Sequence, residues 1–286
     1  MIETLGHYRI LESIGQGRMG DLYRARDTRL GRTVAIRVLA PSISGDAGRR
    51  ARCLADARAA AAVSHPNIAA LYEAGEDAGV PFLASEFVTG QTLKSIVAGR
   101  PLNPRRAIDF AIQVGDALAD GHAADLVHGG LHSGNVIITP KGSAKILDFG
   151  LAAWTDGGAG RTDAASFDHQ TDILSLGAML FEMLLGKPPS TVRTLSAINP
   201  DLPRELDPIL LKATARGKGV RYESAAALAA ELRSVAAIVD ARSEASRPAS
   251  IAPAKGARRS GPLGWLIALL TIGAIGWLVW IAAQAT

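Results

Sequence analysis

Residues 126–138 read LVHGGLHSGNVII. An apolar run leads to His128, a polar loop carries Asn135, and a second apolar run closes the stretch. Gly129 and Gly130 stand where a loop of this outline would hold charged groups. Glycine has no side chain to offer, so the loop belongs either to a disabled site or to one that was never built. Just downstream, NVIITP (135–140) and AKILDFG (144–150) read as a short hairpin.

Upstream, the residues before Gly90 alternate as strands do. YRILESIG (8–15) and DLYRARD (21–27) flank a Gly-rich turn, and RTVAIRVLA (32–40) is a third strand. NIAALYEAG (67–75) and VPFLASEFV (80–88) are two more. Between them RRARCLADARAAAAVS (49–64) is helical by its Ala and Arg content. After Gly90 the pattern turns helical. Asn103 before Pro104 is an N-cap followed by Pro at the first helical position. Ile108, Ile112, Leu118 and His122 continue that helix on one face. TDILSLGAMLFEMLLG (171–186) is an apolar helix ended by Gly186, with Pro188 and Pro189 beyond. ELDPILLKATA (205–215) and SAAALAAELRSVAAIV (224–239) close the domain as helices. The expected fold class is α+β: a small β-rich lobe, then a larger α-rich lobe. No internal repeat is visible.

With 286 residues the chain has room for one or two domains and a sizeable core. Its 31 basic and 27 acidic residues leave a net charge of +4, too mild an excess to argue for nucleic acid. The single cysteine, Cys53, cannot form an internal disulfide and suits a reducing compartment. Its Ala-rich helical surroundings suggest a core residue rather than a nucleophile. The opening MIETLGHYRI lacks the pattern of a secretory signal.

The far end differs. PLGWLIALLTIGAIGWLVWIAAQAT (262–286) contains no charged residue. About 20 apolar residues at 1.5 Å rise cover a bilayer core of about 30 Å. Trp265, Trp277 and Trp280 fall toward the two ends, where indoles favour the interface. The expectation is a transmembrane helix over 262–283. Lys255, Arg258 and Arg259 precede it and nothing basic follows. That bias places residues 1–261 on the cytoplasmic side of the cell membrane, with no external sensor domain. Residues 239–261, rich in Ala, Ser, Pro, Arg and Gly, read as a flexible tether.

GQGRMG places Gly15, Gly17 and Gly20 in G-x-G-x-x-G spacing. A dinucleotide fingerprint would need a helix next, but DLYRARD alternates, so the turn joins two antiparallel strands. Such a hairpin can fold over phosphates with its amide groups; a plain Gly-rich turn is the alternative. Taken in order, this hairpin, VAIR (34–37), HPNI (65–68), HGGLHSGN (128–135), DFG (148–150) and TDILSLG (171–177) resemble the bacterial Ser/Thr protein kinase family. The resemblance covers residues 7–238, with 7–88 as N-lobe and 89–238 as C-lobe.

The resemblance implies roles, and several residues depart from them. The third-strand Lys that holds phosphate and pairs with a helix Glu is Arg37 here, and the helix position is Asp56. A longer cation and a shorter acid leave an Arg37–Asp56 pair open, against the alternative of two unrelated surface charges. The swap is not conservative, because guanidinium is planar and bulky. The His-Arg-Asp triplet reads His128-Gly129-Gly130, so Gly130 occupies the place of the Asp that orients the substrate hydroxyl. His132 replaces a Lys two residues on. Asn135 and Asp148 resemble the two protein ligands of Mg²⁺. Leu22 and Ala35 would roof an adenine pocket and Ile137 would floor it. Ser85 would be the gatekeeper, and the main chain of Glu86 and Val88 would meet the adenine edge.

No Pro-Glu closes the segment between Gly150 and Asp172, so Arg221 would lack its usual partner. Asp172 resembles the Asp that ties the loop's backbone to the following helix. Thr155, Thr162 and Ser166 are acceptors for phosphate without an evident reader. GKPPSTVRTLSAINPDLP (186–203) is short where the family has a further docking helix.

Three readings follow. The first is a membrane-anchored pseudokinase that binds Mg-ATP and serves as a scaffold or allosteric partner of other signalling proteins, an active kinase among them. The second is a working Ser/Thr kinase in which Arg37 grips phosphate and His132 or Asp125 assists the hydroxyl. The third is a nucleotide-free adaptor.

Overall fold

The computed structural model describes residues 3–151, 154–155, 168–188 and 194–245. The chain divides into two units, 1–242 and 243–286. The first carries the two-lobed α+β architecture expected from the sequence.

The N-lobe is an antiparallel six-stranded sheet. Its strands are β1 (Thr4–Leu5), β2 (Tyr8–Gly17), β3 (Gly20–Asp27), β4 (Arg32–Leu39), β5 (Leu71–Asp77) and β6 (Val80–Glu86), in spatial order β1-β2-β3-β4-β6-β5. Side chains alternate faces along a strand, and β4 uses both faces. Val34 and Ile36 pack on one side with Tyr8, Ala25, Phe82 and Ala84. Ala35 and Arg37 therefore point to the other side, where they line a cleft. The position of Arg37 is thus fixed by strand parity.

Two helices follow β4: α1 (Pro41–Ser44) and α2 (Ala47–Ala60). Asp46 caps α2, its carboxylate accepting from the Arg49 N–H at 2.7 Å. Cys53, Leu54, Ala57 and Ala60 form the buried stripe of α2. Cys53, Leu54 and Ala57 pack with Met19, Leu39, Ile43 and Leu83 into a second apolar cluster, which Leu151 and Trp154 complete. The helix ends at Ala60, short of the 49–64 span expected from its alanines. Propensity alone does not hold a helix once it runs out of a face to bury.

The C-lobe begins with β7 (Gln91–Thr92) and α3 (Leu93–Val97), followed by the long α4 (Pro104–Ala123). Asn103 caps α4 as expected, accepting from Arg105 N at 2.9 Å and Arg106 N at 3.4 Å. A one-turn 3₁₀ helix, Ser133–Asn135, leads into the hairpin β8 (Val136–Ile138) and β9 (Ala144–Ile146), and β7 pairs with β8. Next come α5 (His169–Leu185), α6 (Leu195–Ile198), α7 (Leu206–Ala213) and α8 (Ala225–Ala245). Gly186 ends α5 at φ 74°, donating to Glu182 O. A side chain there would also strike the Gly99 carbonyl, 2.6 Å from the Cβ position. The lobe's core is built on α4 and α5, with Ile108, Val114, Leu118, Leu176, Leu180 and Met183 fully enclosed.

Other details also differ from the sequence reading, among them β5, which begins at Leu71 where a strand was expected from 67. Helix α8 continues to Ala245, into the stretch expected to be a tether from 239 onward. The stretch 186–203 does contain a helix, but α6 is a single turn. The rest of the tether and the membrane span expected at 262–283 lie outside the described residues. Among the described residues no helix is long and apolar enough to cross a membrane.

Candidate functional site

Between the lobes lies a cleft of about 760 Å³ including its open mouth. Of the residues singled out in the sequence, Leu22, Ala35 and Arg37 line it from the sheet, and Ile137 and Asp148 from the C-lobe. Ser85, Glu86 and Val88 line it along the connection between lobes. Apolar residues that sequence reasoning missed complete the wall: Ile14, Ile68, Leu71, Leu83, Phe87 and Leu151. They come from separate elements, so no local pattern marks them as neighbours.

The connection has donors and acceptors to spare. Glu86 spends its N–H on Ala70 O at 2.8 Å, and its carboxylate takes Ala70 N at 3.2 Å and Lys145 Nζ at 2.7 Å. Among the described residues Val88 makes no main-chain hydrogen bond. Its N–H and C=O are half-buried groups that a ligand edge would satisfy.

The glycine hairpin does not line the cleft. Gly17 faces Gly20 across the β2–β3 turn, and Gly15 faces Leu22. Open space surrounds the Cβ positions of Gly15 and Gly17. Gly20 is different: at φ +132° its Cβ would lie 1.8 Å from the Val38 carbonyl oxygen. Close packing of β3 on β4 demands that glycine, whatever the ligand. The tip of the turn is pinned by Met19, 1% exposed within the α2 cluster, whose carbonyl accepts from Ala40 N at 3.0 Å.

Below the cleft, the loop of residues 126–138 is held from α5. Asp172 is fully buried. Its two oxygens accept from His128 N and Gly129 N, both at 2.8 Å, and His122 Nε2 lies 2.9 Å away. This is the tie expected from the sequence. His128 is a core residue: Gly130 N donates to its Nδ1 at 3.2 Å, so the ring proton sits on Nε2 and reaches Leu147 O, also at 3.2 Å. Its ring meets Phe149 edge-on at 5.5 Å. Burial pushes the His128 pKa below its ordinary value, keeping the imidazole neutral. The loop is therefore well formed, yet Gly130 projects nothing into the cleft.

The main surprise concerns Arg37. It does not pair with Asp56. Its Nη2 reaches across the cleft to both oxygens of Asp148, at 3.1 and 2.9 Å. Asp56 instead accepts from Trp154 Nε1 at 2.8 Å. The correction has a physical reason: the guanidinium is long enough to span to the C-lobe, while the short Asp56 side chain is occupied by an indole packed on α2. Asp56 does not line the cleft. Asp148 holds φ 53°, a left-handed conformation uncommon for a residue with a side chain.

The two residues expected to hold Mg²⁺ are both engaged within the protein. Asn135 Nδ2 donates to Gly130 O at 3.0 Å, and its Oδ1 accepts from His132 N at 3.0 Å. The Asp148 oxygens both face Arg37. A hard dication that seeks several oxygen ligands does not fit a carboxylate already covered by a guanidinium. Elsewhere, among the described residues, no group of three His, Cys, Asp or Glu is placed to bind a metal. Burial pushes the Cys53 thiol up to about 12, so it is inert packing as expected. Arg221 spends its guanidinium on the main chain: Ala215 O at 2.7 Å and Gln170 O at 2.9 Å.

The model of the protein kinase domain matches residues 8–206. The chain belongs to the protein kinase family. Among similar kinases of known sequence, PknB of Mycobacterium tuberculosis is 34% identical over 263 residues, covering 79% of this chain and 42% of that one. PrkC of Bacillus subtilis is 32% identical over 260 residues, covering 80% and 40%. The probable Ser/Thr kinase SCO3848 of Streptomyces coelicolor is 32% identical over 258 residues, covering 77% and 38%. The chain thus spans only about two-fifths of these relatives' length. The crystal structure of the Mycobacterium tuberculosis PknI kinase domain, a C20A_R136N double mutant, superposes with TM-score 0.69 at 25% identity. That superposition covers 82% of this chain and 98% of the other. Kinases of this family generally use ATP and Mg²⁺; at the cleft the Arg37–Asp148 pair stands where a metal site would be expected, and Gly130 lies in the loop below.

Proposed function

We propose that this kinase-family chain is a pseudokinase: a membrane-anchored signalling scaffold or allosteric partner whose cleft takes an adenine nucleotide and transfers no phosphate. One observation carries the reading. The loop that would present a base is held in place by Asp172, yet position 130 is glycine. A positioned base accelerates proton transfer by about 10²–10⁴, and glycine supplies none of it. Asp125, one possible substitute, is exposed beyond the end of α4. His132 keeps its Nδ1 on Gly134 N at 3.0 Å.

The apolar cleft with a free main-chain edge at Val88 supports nucleotide binding over a nucleotide-free adaptor. The uncharged stretch 262–283 after Lys255, Arg258 and Arg259 supports a single span, with the kinase-like domain on the cytoplasmic face of the cell membrane. The partners of such a molecule are other signalling proteins, an active kinase of the same family among them. The test is single-turnover transfer of labelled γ-phosphate to a generic protein acceptor, with Asp148→Ala as the blank. The expected result is no label above the blank. Transfer at the pace of an active kinase, lost in Asp148→Ala, overturns the reading.

A further inference from the structure

The cleft places a permanent cation on the carboxylate that should hold a metal. From this we infer that the chain binds the phosphate of an adenine nucleotide without a divalent ion, with Arg37 in the metal's place. The inference rests on the nucleotide-binding reading and concerns how that same cleft neutralises charge.

The geometry supports it at three points. First, Arg37 Nη2 alone covers both Asp148 oxygens, at 3.1 and 2.9 Å. Guanidinium carries five N–H donors. Among the described residues Nε and Nη1 have no partner, and Arg37 lines the cleft. The same side chain can hold Asp148 and still donate to a phosphate oxygen, which its planar fork suits. Second, Asp56 has been drawn off to Trp154, so no second carboxylate competes for Arg37. Third, the amide of Asn135 is engaged at both ends by the loop backbone. An entering Mg²⁺ would have to share the Asp148 oxygens with a guanidinium, compete with the His132 N–H for Asn135 Oδ1 and sit against a fixed positive charge.

Asp148 also changes meaning. In a metal site it attracts the ligand through the ion. Here it offsets part of the Arg37 charge and works against phosphate. Removing its charge therefore has opposite effects under the two schemes.

The experiment is a binding titration of the purified full chain in detergent micelles. ATP is titrated with excess EDTA and with excess magnesium, and adenosine serves as the phosphate-free probe. Equal affinity for ATP in EDTA and in magnesium, above that for adenosine, is the expected result. Arg37→Ala should lower the ATP affinity roughly tenfold or more, the weight of a charge-assisted hydrogen bond, and leave adenosine unchanged. Asp148→Asn should bind ATP no more weakly than the native chain. Arg37→Gln, with circular dichroism on every variant, guards against a loss that is only misfolding.

ATP binding seen in magnesium but not in EDTA overturns the inference and leaves the nucleotide reading standing. So does weakening by Asp148→Asn. ATP no tighter than adenosine overturns the role of Arg37. Binding of neither ligand under any condition overturns the nucleotide reading itself, and this inference with it.

Discussion

Replacing Asp172 by Ala should cost more stability than any other change at the site. Its carboxylate is completely enclosed and serves three partners: two main-chain N–H groups at 2.8 Å and the His122 ring at 2.9 Å. Hydrogen bonds to a charged group contribute about 1.5–3 kcal/mol each, and they do not add when they share one acceptor. Truncation leaves two buried N–H groups without an acceptor, each a loss of about 1–3 kcal/mol. For a domain of this size each kcal/mol moves Tm by about 2–4 °C. A central value of about 4 kcal/mol for the two thus predicts a fall of about 8–16 °C. Asp172→Asn keeps one acceptor but turns an NH₂ toward a donor, so about half that loss is expected. The assay is thermal unfolding of the full chain followed by circular dichroism. The exposed Asp116–Arg233 pair, at 2.5 Å, is the control, since surface pairs are worth at most about 1 kcal/mol. If Asp172→Ala melts as the native chain does, or no lower than Asp116→Ala, the claim that Asp172 holds the loop is refuted.

Three further outcomes are expected. His128 and His169 both have pKa values lowered by burial, so the folded state resists protonation; stability should be complete above the ordinary value of 6.5 and decline as pH falls below it. A Tm that is flat or rising from pH 7 to pH 5 would contradict that sign. Gly20→Ala should destabilise strongly because its Cβ meets the Val38 carbonyl at 1.8 Å, while Gly17→Ala, with nothing within 4 Å, should leave Tm nearly unchanged; equal Tm values would refute the packing role of Gly20. Trp154→Phe keeps an aromatic ring but removes the donor to Asp56, and should cost about 1–2 kcal/mol in chemical denaturation; no change would mean that the indole bond does not help to hold α2.

Much of the fold was legible because period and caps agreed. RTVAIRVLA was legible as a strand, and Asn103-Pro104 and Gly186 marked helix ends that the structure keeps. The place of Asp172 was legible through the ordered motifs. What escaped the sequence was side-chain reach. Arg37 and Asp148 are 111 residues apart, and their pairing depends on where the lobes put them. Trp154 was not singled out at all, since a lone Trp in a Gly- and Ala-rich segment carries no pattern. Its partnership with Asp56 follows only once Leu151 and Trp154 are seen packed on α2. The end of α2 escaped too, because an alanine run has propensity but no face.

The central claim is that a well-formed loop without a carboxylate moves no phosphate. Its most direct measurement is the intact mass of the purified full chain after long incubation with ATP and magnesium. The account predicts an unmodified mass, the same as that of Asp148→Ala. Phosphates accumulating on the native chain but not on the variant would contradict it.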